Sequence, residues 1–150
     1  MAHGEATVLI RRPAEEVLEF VLDLRRYREV DGKIGAIHWL WRDGDTVTFR
    51  FRPKLFGLPG PAMTQRVVRT GDERVDVVPS PSVLDRVVRF SGSFVCAGHP
   101  DGTLVTRRMD LVFAPAVAAV ADAVLTPLLV RDMRRELHAI RVRLERAAGG

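Results

Sequence analysis

This sequence has little cysteine, and none of its histidines stand at metal-binding spacings. It contains one cysteine, Cys96, and four histidines that are isolated from one another. A single thiol excludes an intramolecular disulfide framework, and the lack of an H-x-x-x-H, H-E-x-x-H or Cys/His pair argues against zinc. There is also no G-x-G-x-x-G or G-x-S-x-G motif, and "GLPGP" lacks the lysine and following helix of a phosphate loop. We therefore expect no metal, no cofactor and no serine hydrolysis.

Long apolar runs are also missing. The longest, residues 113–130, is interrupted by Asp122, Pro115 and Pro127, whereas a membrane span needs roughly 20 predominantly apolar residues. The N-terminal stretch "MAHGEATVLI" has neither the basic nor the apolar region of a signal peptide. These two absences predict a cytoplasmic protein that is not an integral membrane protein.

Charge of one sign does not dominate the sequence. Lys and Arg together number 23 against 19 for Asp and Glu, and all the basic residues except Lys33 and Lys54 are arginine. The arginines are scattered and interleaved with acids, and aromatic residues do not alternate with them. This pattern does not predict nucleic-acid binding.

Hydrophobic periodicity is present throughout and changes along the chain. Residues 6–12 predict a strand, Pro13 starts a helix that runs to about Leu24, and "RRYREVD" predicts a second, short helix. About six strands follow, and a helix over about 114–146 carries the apolar stripe Leu125, Leu129, Met133, Leu137, Ile140 and Leu144. Segregated helices and a strand meander predict an α+β fold. The length suits one domain, residues 1–150, with an ordered core of about 6–146.

Two stretches resemble a known superfamily. "ATVLIRRPAEEVLEFVLDLRRYREV" runs from a strand into a Pro-Ala-Glu-Glu-Val helix, and "FSGSFVCAGHPDGTLVTRRMDLVF" precedes the long terminal helix. With the order of elements, they resemble the START-like, or SRPBCC, superfamily in its polyketide cyclase/dehydrase and coenzyme Q-binding type branch. The resemblance implies a helix-grip fold: a curved antiparallel sheet of about six to seven strands wraps around the long C-terminal helix and leaves an elongated cavity. Two short helices follow the first strand, and Tyr27 takes the place of the family's aromatic-proline or tryptophan-rich corner.

The strand "TLVTRRMDLVF" carries charge on its drier face. Arg107 and Arg108 point to opposite faces, and Arg107 shares its face with Val105, Met109, Leu111 and Phe113. An unpaired charge in a dry core is costly, so an inward Arg107 requires a carboxylate, water or ligand partner. In the alternative, Arg107 lies near the sheet edge and reaches solvent, or it pairs with a helix acid such as Asp122 or Asp132.

Strand parity and the implied wrapped sheet together predict the lining of a cavity. Gln65 is a candidate polar contact because it shares a face with Met63 and Val67, although the opposite parity, with Arg66 inward, stays open. The helix stripe contributes the remaining positions. The predicted ligand-binding residues are Trp39, Phe49, Phe51, Gln65, Phe90, Phe94, Arg107, Met109, Leu125, Leu129 and Met133.

Two further positions keep alternatives open. Gly92 either permits a bend in its strand or leaves room for a ligand. His38 could act as an acid or base if its face looked inward, but the face of Ile37, Trp39 and Trp41 is the better inward candidate.

Two functions fit these features. The first is the binding of a hydrophobic small molecule, such as a polyketide, quinone or lipid, in the cavity. The alternative is a polyketide cyclase, aromatase or dehydratase in which Arg107, the candidate catalytic residue, stabilises an enolate and Gln65 positions the substrate. A convincing base is missing from the second, since Tyr27 is the one tyrosine and its orientation is open. A homodimer is compatible with either function.

Overall fold

The computed structural model describes residues 2–55, 57–80 and 88–149. The order of elements in the chain is β1 (Ala2–Ile10), α1 (Ala14–Leu22), α2 (Leu24–Tyr27), β2 (Ile34–Asp43), β3 (Thr46–Leu55), β4 (Leu58–Pro59), β5 (Met63–Thr70), β6 (Arg74–Pro79), β7 (Val88–His99), β8 (Gly102–Phe113) and α3 (Pro115–Gly149). The predicted α+β fold is confirmed, with two short helices after the first strand and one long helix at the C-terminal end. No helix among the described residues is long and apolar enough to cross a membrane.

One antiparallel sheet contains all the strands. Its order is β1-β8-β7-β6-β5-β3-β2, and the two-residue β4 pairs with β3 outside this path. Short turns join β2 to β3 and β5 to β6, and in them Gly44 and Gly71 have φ angles of 58° and 61°. Glycine adopts this left-handed conformation without the steric cost of a Cβ atom, so both hairpins close tightly.

The helices cover different parts of the sheet. Helix α1 contacts β5, β6 and β7, whereas α3 packs mainly on β1 and also on β8. Gly4 permits the close approach of α3, because a Cβ atom there would collide with the end of Met133 and lie 3.2 Å from Leu129. Leu129 and Met133 are consequently used to pack the helix onto β1, in line with their buried positions.

Strand β2 contains an irregularity that reverses the predicted faces of its tryptophans. Ile37 pairs with Phe51 but Trp39 pairs with Arg50, so two residues of β2 oppose one residue of β3. Such a β-bulge inserts one residue and moves the following side chains to the other face. Trp39 and Trp41 are accordingly 45% and 65% exposed, and Leu40 points inward opposite Phe49. The prediction that Trp39 faces the interior was wrong.

Some predictions lie outside the described part of the chain. The irregular link predicted for residues 79–85 falls mostly within the undescribed residues 81–87, and the side chains of Phe90 and Asp122 are likewise undescribed.

Candidate ligand-binding site

A cavity of about 120 Å³ lies between the two short helices and the inner face of the sheet. Its wall is made by α1, α2, the segment that follows α2, and strands β2 to β8. Most of its side chains are apolar, and no described residue of α3 contributes to it. The lining residues are Val21, Leu24, Tyr27, Asp31, Lys33, Ile34, Phe49, Phe51, Pro53, Lys54, Leu58, Gly60, Gln65, Val67, Val77, Ser91, Gly92, Phe94, Arg107, Met109 and Leu111.

Arg107 is the most unusual residue of this wall. Strand β8 is flanked by β1 and β7, so Arg107 does not lie at a sheet edge, and only 3% of it is exposed. Its guanidinium carbon lies 4.4 Å from the centre of the Phe94 ring, directly across the strand pair. Burial lowers the pKa of Arg107 to about 10, against the opposing effect of Asp31 and Asp132, so the side chain stays cationic near neutral pH.

Gly92 provides the space that this guanidinium occupies. A Cβ atom at Gly92 would lie 2.6 Å from Nη1 of Arg107 and 3.0 Å from the carbonyl oxygen of Arg108. The glycine therefore leaves room for a side chain of the protein itself on the cavity wall.

Among the described residues, the carboxyl group paired with Arg107 belongs to Glu136 of α3, whereas the alternative left open by the sequence named a helix acid such as Asp122 or Asp132. Nε of Arg107 lies 3.5 Å from Oε1 of Glu136, which is 2% exposed. This distance is too long for a strong hydrogen bond, and neither atom has another partner within the described residues. Burial raises the pKa of Glu136 to about 8.

Lys33 connects Glu136 to two further acids. Its ammonium nitrogen lies 2.9 Å from Asp31, 2.7 Å from Asp132 and 3.2 Å from Glu136. These three carboxyl groups are close enough to one another to hold a metal ion. The ammonium group of Lys33 already contacts one oxygen of each, so it supplies the positive charge at their centre.

Tyr27 and Gln65 add polar atoms to the wall. Tyr27 is buried, packs edge-on against Phe94 at a ring separation of 5.8 Å, and has a hydroxyl with no hydrogen-bond partner in the described structure. Gln65 is buried opposite Phe49, while Arg66 is exposed. The sequence left the orientation of Tyr27 open and did not single out Glu136 as a residue of the site. The one available signal for Glu136 was its place three residues after Met133, within the apolar stripe of the helix.

The structure separates the predicted ligand-binding residues into groups. Phe49, Phe51, Gln65, Phe94, Arg107 and Met109 line the cavity. Trp39 does not, because the bulge turns it outward. Leu125, Leu129 and Met133 were expected in the lining, yet they lie outside it because α3 packs against β1 rather than over the cavity. Phe90 belongs to neither group, because the structure does not describe its side chain.

A sheet of this order, a long C-terminal helix and an apolar cavity beside them define a START-like ligand-binding domain with the helix-grip fold. The family model described as polyketide cyclase / dehydrase and lipid transport matches residues 1–145. The chain belongs to this family.

Solved structures show the same fold. The Zhui aromatase/cyclase from Streptomyces sp. R1128 is 20% identical, with a TM-score of 0.79 over 99% of this chain and 98% of that one. A START superfamily protein from Mycobacterium smegmatis is 17% identical, with a TM-score of 0.73 over 96% and 99% of the two chains. A protein from Thermus thermophilus is 16% identical, with a TM-score of 0.78 over 97% and 98%. At these identities the likeness concerns the fold alone.

Proposed function

We propose that this protein binds a hydrophobic small molecule of the polyketide, quinone or lipid class in the cavity under α1 and α2. The observation that carries this proposal is the pairing of an apolar wall with buried polar atoms that lack partners. The hydroxyl of Tyr27 and Nε of Arg107 have no hydrogen bond among the described residues. Binding sites for small molecules commonly combine an apolar lining with a few such polar groups.

The unpaired atoms favour a ligand that carries an oxygen acceptor. A buried polar group without a hydrogen bond costs about 1–3 kcal/mol, and a carbonyl or phenolic oxygen near Tyr27 would remove part of that cost. Arg107 has one long hydrogen bond in the described structure, from Nη1 to the carbonyl oxygen of Arg108 at 3.4 Å. The other N–H donors of Arg107 can therefore turn toward a ligand without breaking a strong hydrogen bond within the protein.

The size of the cavity restricts what fits inside it. A cavity on the order of 150 Å³ holds a single aromatic ring. The volume of about 120 Å³ thus suits one ring or a short alkyl segment, and a longer ligand has to extend beyond this cavity.

Catalysis by a polyketide cyclase, aromatase or dehydratase is the second candidate. One observation favours it: a cation and a phenol contact the same aromatic ring, since Arg107 lies over Phe94 and Tyr27 lies at its edge. In an aldol cyclisation, water would take the proton from the α-carbon, Arg107 would stabilise the resulting enolate oxygen, and the tyrosine hydroxyl would donate a proton to the carbonyl oxygen under attack. Tyr27 would then be the general acid of the reaction, and water the base.

Thermal-shift measurements and native mass spectrometry with 2-naphthol, menadione and decanol test the binding proposal. We expect at least one of these probes to stabilise the protein and to form a one-to-one complex. Tyr27→Phe and Arg107→Gln should weaken binding of the oxygenated aromatic probes roughly tenfold, a loss of one good hydrogen bond. Trp39→Ala and Arg108→Gln are the matched controls on the outer face and should bind as the wild type does. Failure of all three probes to bind would overturn the proposal.

A linear poly-β-carbonyl thioester distinguishes catalysis from binding. A cyclase joins two carbons of the chain, releases water and produces a new aromatic absorbance. Turnover that is lost in Tyr27→Phe but retained in Trp39→Ala supports the second candidate. Binding of the thioester without turnover leaves the protein as a carrier or sensor.

A further inference from the structure

A second depression adjoins the cavity and differs from it in charge. It has a volume of about 480 Å³ and lies between α3, the segment after α2, and the turn that follows β3. Four of its five ionisable lining side chains are cationic, among the described residues. The lining residues are Gly32, Lys33, Lys54, Gly57, Leu128, Leu129, Arg131, Asp132 and Arg135.

The cations of this depression fall into two kinds. Lys33 is neutralised by contacts with Asp31, Asp132 and Glu136. Lys54, Arg131 and Arg135, by contrast, form no ion pair with any carboxylate of the described chain, although many other arginines do. The three residues without ion pairs converge on one concave surface. A concave wall of low dielectric constant concentrates their field and attracts anions.

The depression and the cavity share part of their wall. Lys33 and Lys54 line both, and Gly57 in the depression is followed in the chain by Leu58 in the cavity. A ligand that occupied both spaces would pass beside these two lysines. The depression also has the volume that the small cavity lacks.

We propose that the ligand of this protein is an anionic amphiphile, with its apolar end in the cavity and a carboxylate or phosphate held by Lys54, Arg131 and Arg135. This inference rests on the proposed binding function and names the class of ligand. Arginine at two positions one helical turn apart can direct planar N–H donors at the same anion. Leu128, which is exposed and also lines the depression, would contact the apolar part of such a ligand.

Four probes with the same decyl chain test the charge of the head group: decanol, decanoate, decyl phosphate and decyltrimethylammonium. We expect decanoate and decyl phosphate to bind at least about tenfold more tightly than decanol at low salt, and decyltrimethylammonium to bind more weakly than decanol. The advantage of the anions should shrink when the salt concentration is raised to about 1 M, where exposed charges are screened within ~3 Å.

Paired charge-neutralising variants locate the effect. Arg131→Gln with Arg135→Gln should remove most of the preference for the anions over decanol. Arg134→Gln with Arg146→Gln removes the same charge from exposed positions of α3 outside the depression and should retain the preference. Inorganic phosphate, without a decyl chain, should bind much more weakly than decyl phosphate.

The outcomes separate this inference from the proposed function. If no decyl compound binds, the binding function itself fails. If decanol binds as tightly as decanoate, the cavity stands and the anionic site is refuted. A preference for anions that survives in the Arg131/Arg135 variant would also refute the site, as would inorganic phosphate binding as tightly as decyl phosphate.

Discussion

Replacing Glu136 by glutamine would show whether its buried carboxyl group carries a proton in the folded protein. The groups that face it are Arg107 from β8, Lys33 and Asp31 from the segment after α2, and Asp132 from α3 itself. Burial raises its pKa from 4.5 to about 8, so removal from water outweighs the two neighbouring cations. At neutral pH the group is then mostly neutral, and glutamine is close to it in shape and charge.

The raised pKa sets the sign of the pH dependence. Between pH 4.5 and about 8 the folded protein retains a proton that the unfolded chain releases. The free energy of unfolding should therefore decrease as the pH rises through this window, by up to about 1.4 kcal/mol per pH unit from this group. Glu136→Gln cannot titrate, so its stability should exceed that of the wild type increasingly from about pH 5 upward, by up to about 2 kcal/mol at pH 6 and up to about 4 kcal/mol at pH 8.

Urea denaturation of both proteins at several pH values between about 5.5 and 8.5 measures this difference. Glu73→Gln neutralises an exposed glutamate and should leave the wild-type pH profile unchanged. The opposite result would refute the reasoning: an ionised Glu136 paired with Arg107 predicts that Glu136→Gln costs about 3–5 kcal/mol at pH 7. The wild type would then show no loss of stability toward pH 8.

One substitution, at Gly92, and one chemical modification, of Cys96, test how tightly strand β7 is packed. Gly92→Ala should destabilise the protein by about 1–3 kcal/mol, because its methyl group meets the guanidinium of Arg107, and it should weaken ligand binding. Gly98→Ala in the same strand meets no atom within 4 Å and should change stability by less than about 0.5 kcal/mol; equal costs for the two would contradict the role of Gly92. Burial raises the pKa of Cys96 to about 11, so iodoacetamide should modify it slowly at pH 8 and rapidly in urea. Equal rates in mass spectrometry would show that the thiol is accessible in the folded protein.

Local periodicity was sufficient to predict the elements of this fold. Pro13 and Pro115 mark helix starts because proline suits the first helical turn, and α1 and α3 begin at or directly after them. Gly44 and Gly71 each stand where an alternating strand ends in the sequence, and the structure has a turn at both positions. Helix starts and tight turns depend on residues that are close together in the chain, so a local pattern is enough to predict them.

The errors concern features that depend on distant residues. The bulge in β2 arises from its register with β3, so the alternation of Ile37, Trp39 and Trp41 predicted one continuous face where the structure has two. The partner of Arg107 could not be chosen because the helical phase of α3 relative to β8 decides between Asp132 and Glu136. The cavity position depended on which strands α3 covers, and Gly4, more than 120 residues earlier in the chain, contributes to this by permitting the close approach of α3 to β1.

The pairing of the first strand with the last also affects how the protein assembles during synthesis. Ile10 pairs with Thr103 and Ala2 with Leu111, so the contact closes a loop on the order of 100 residues. Contacts of such long sequence separation slow folding, whereas the β7–β8 hairpin requires only a short closure. Strand β1 leaves the ribosome before β8 and cannot pair with it until β8 has been made, so the backbone hydrogen-bonding groups on that edge of β1 stay unpaired during the interval. At this edge of the sheet, the order of synthesis is therefore the reverse of the order of assembly.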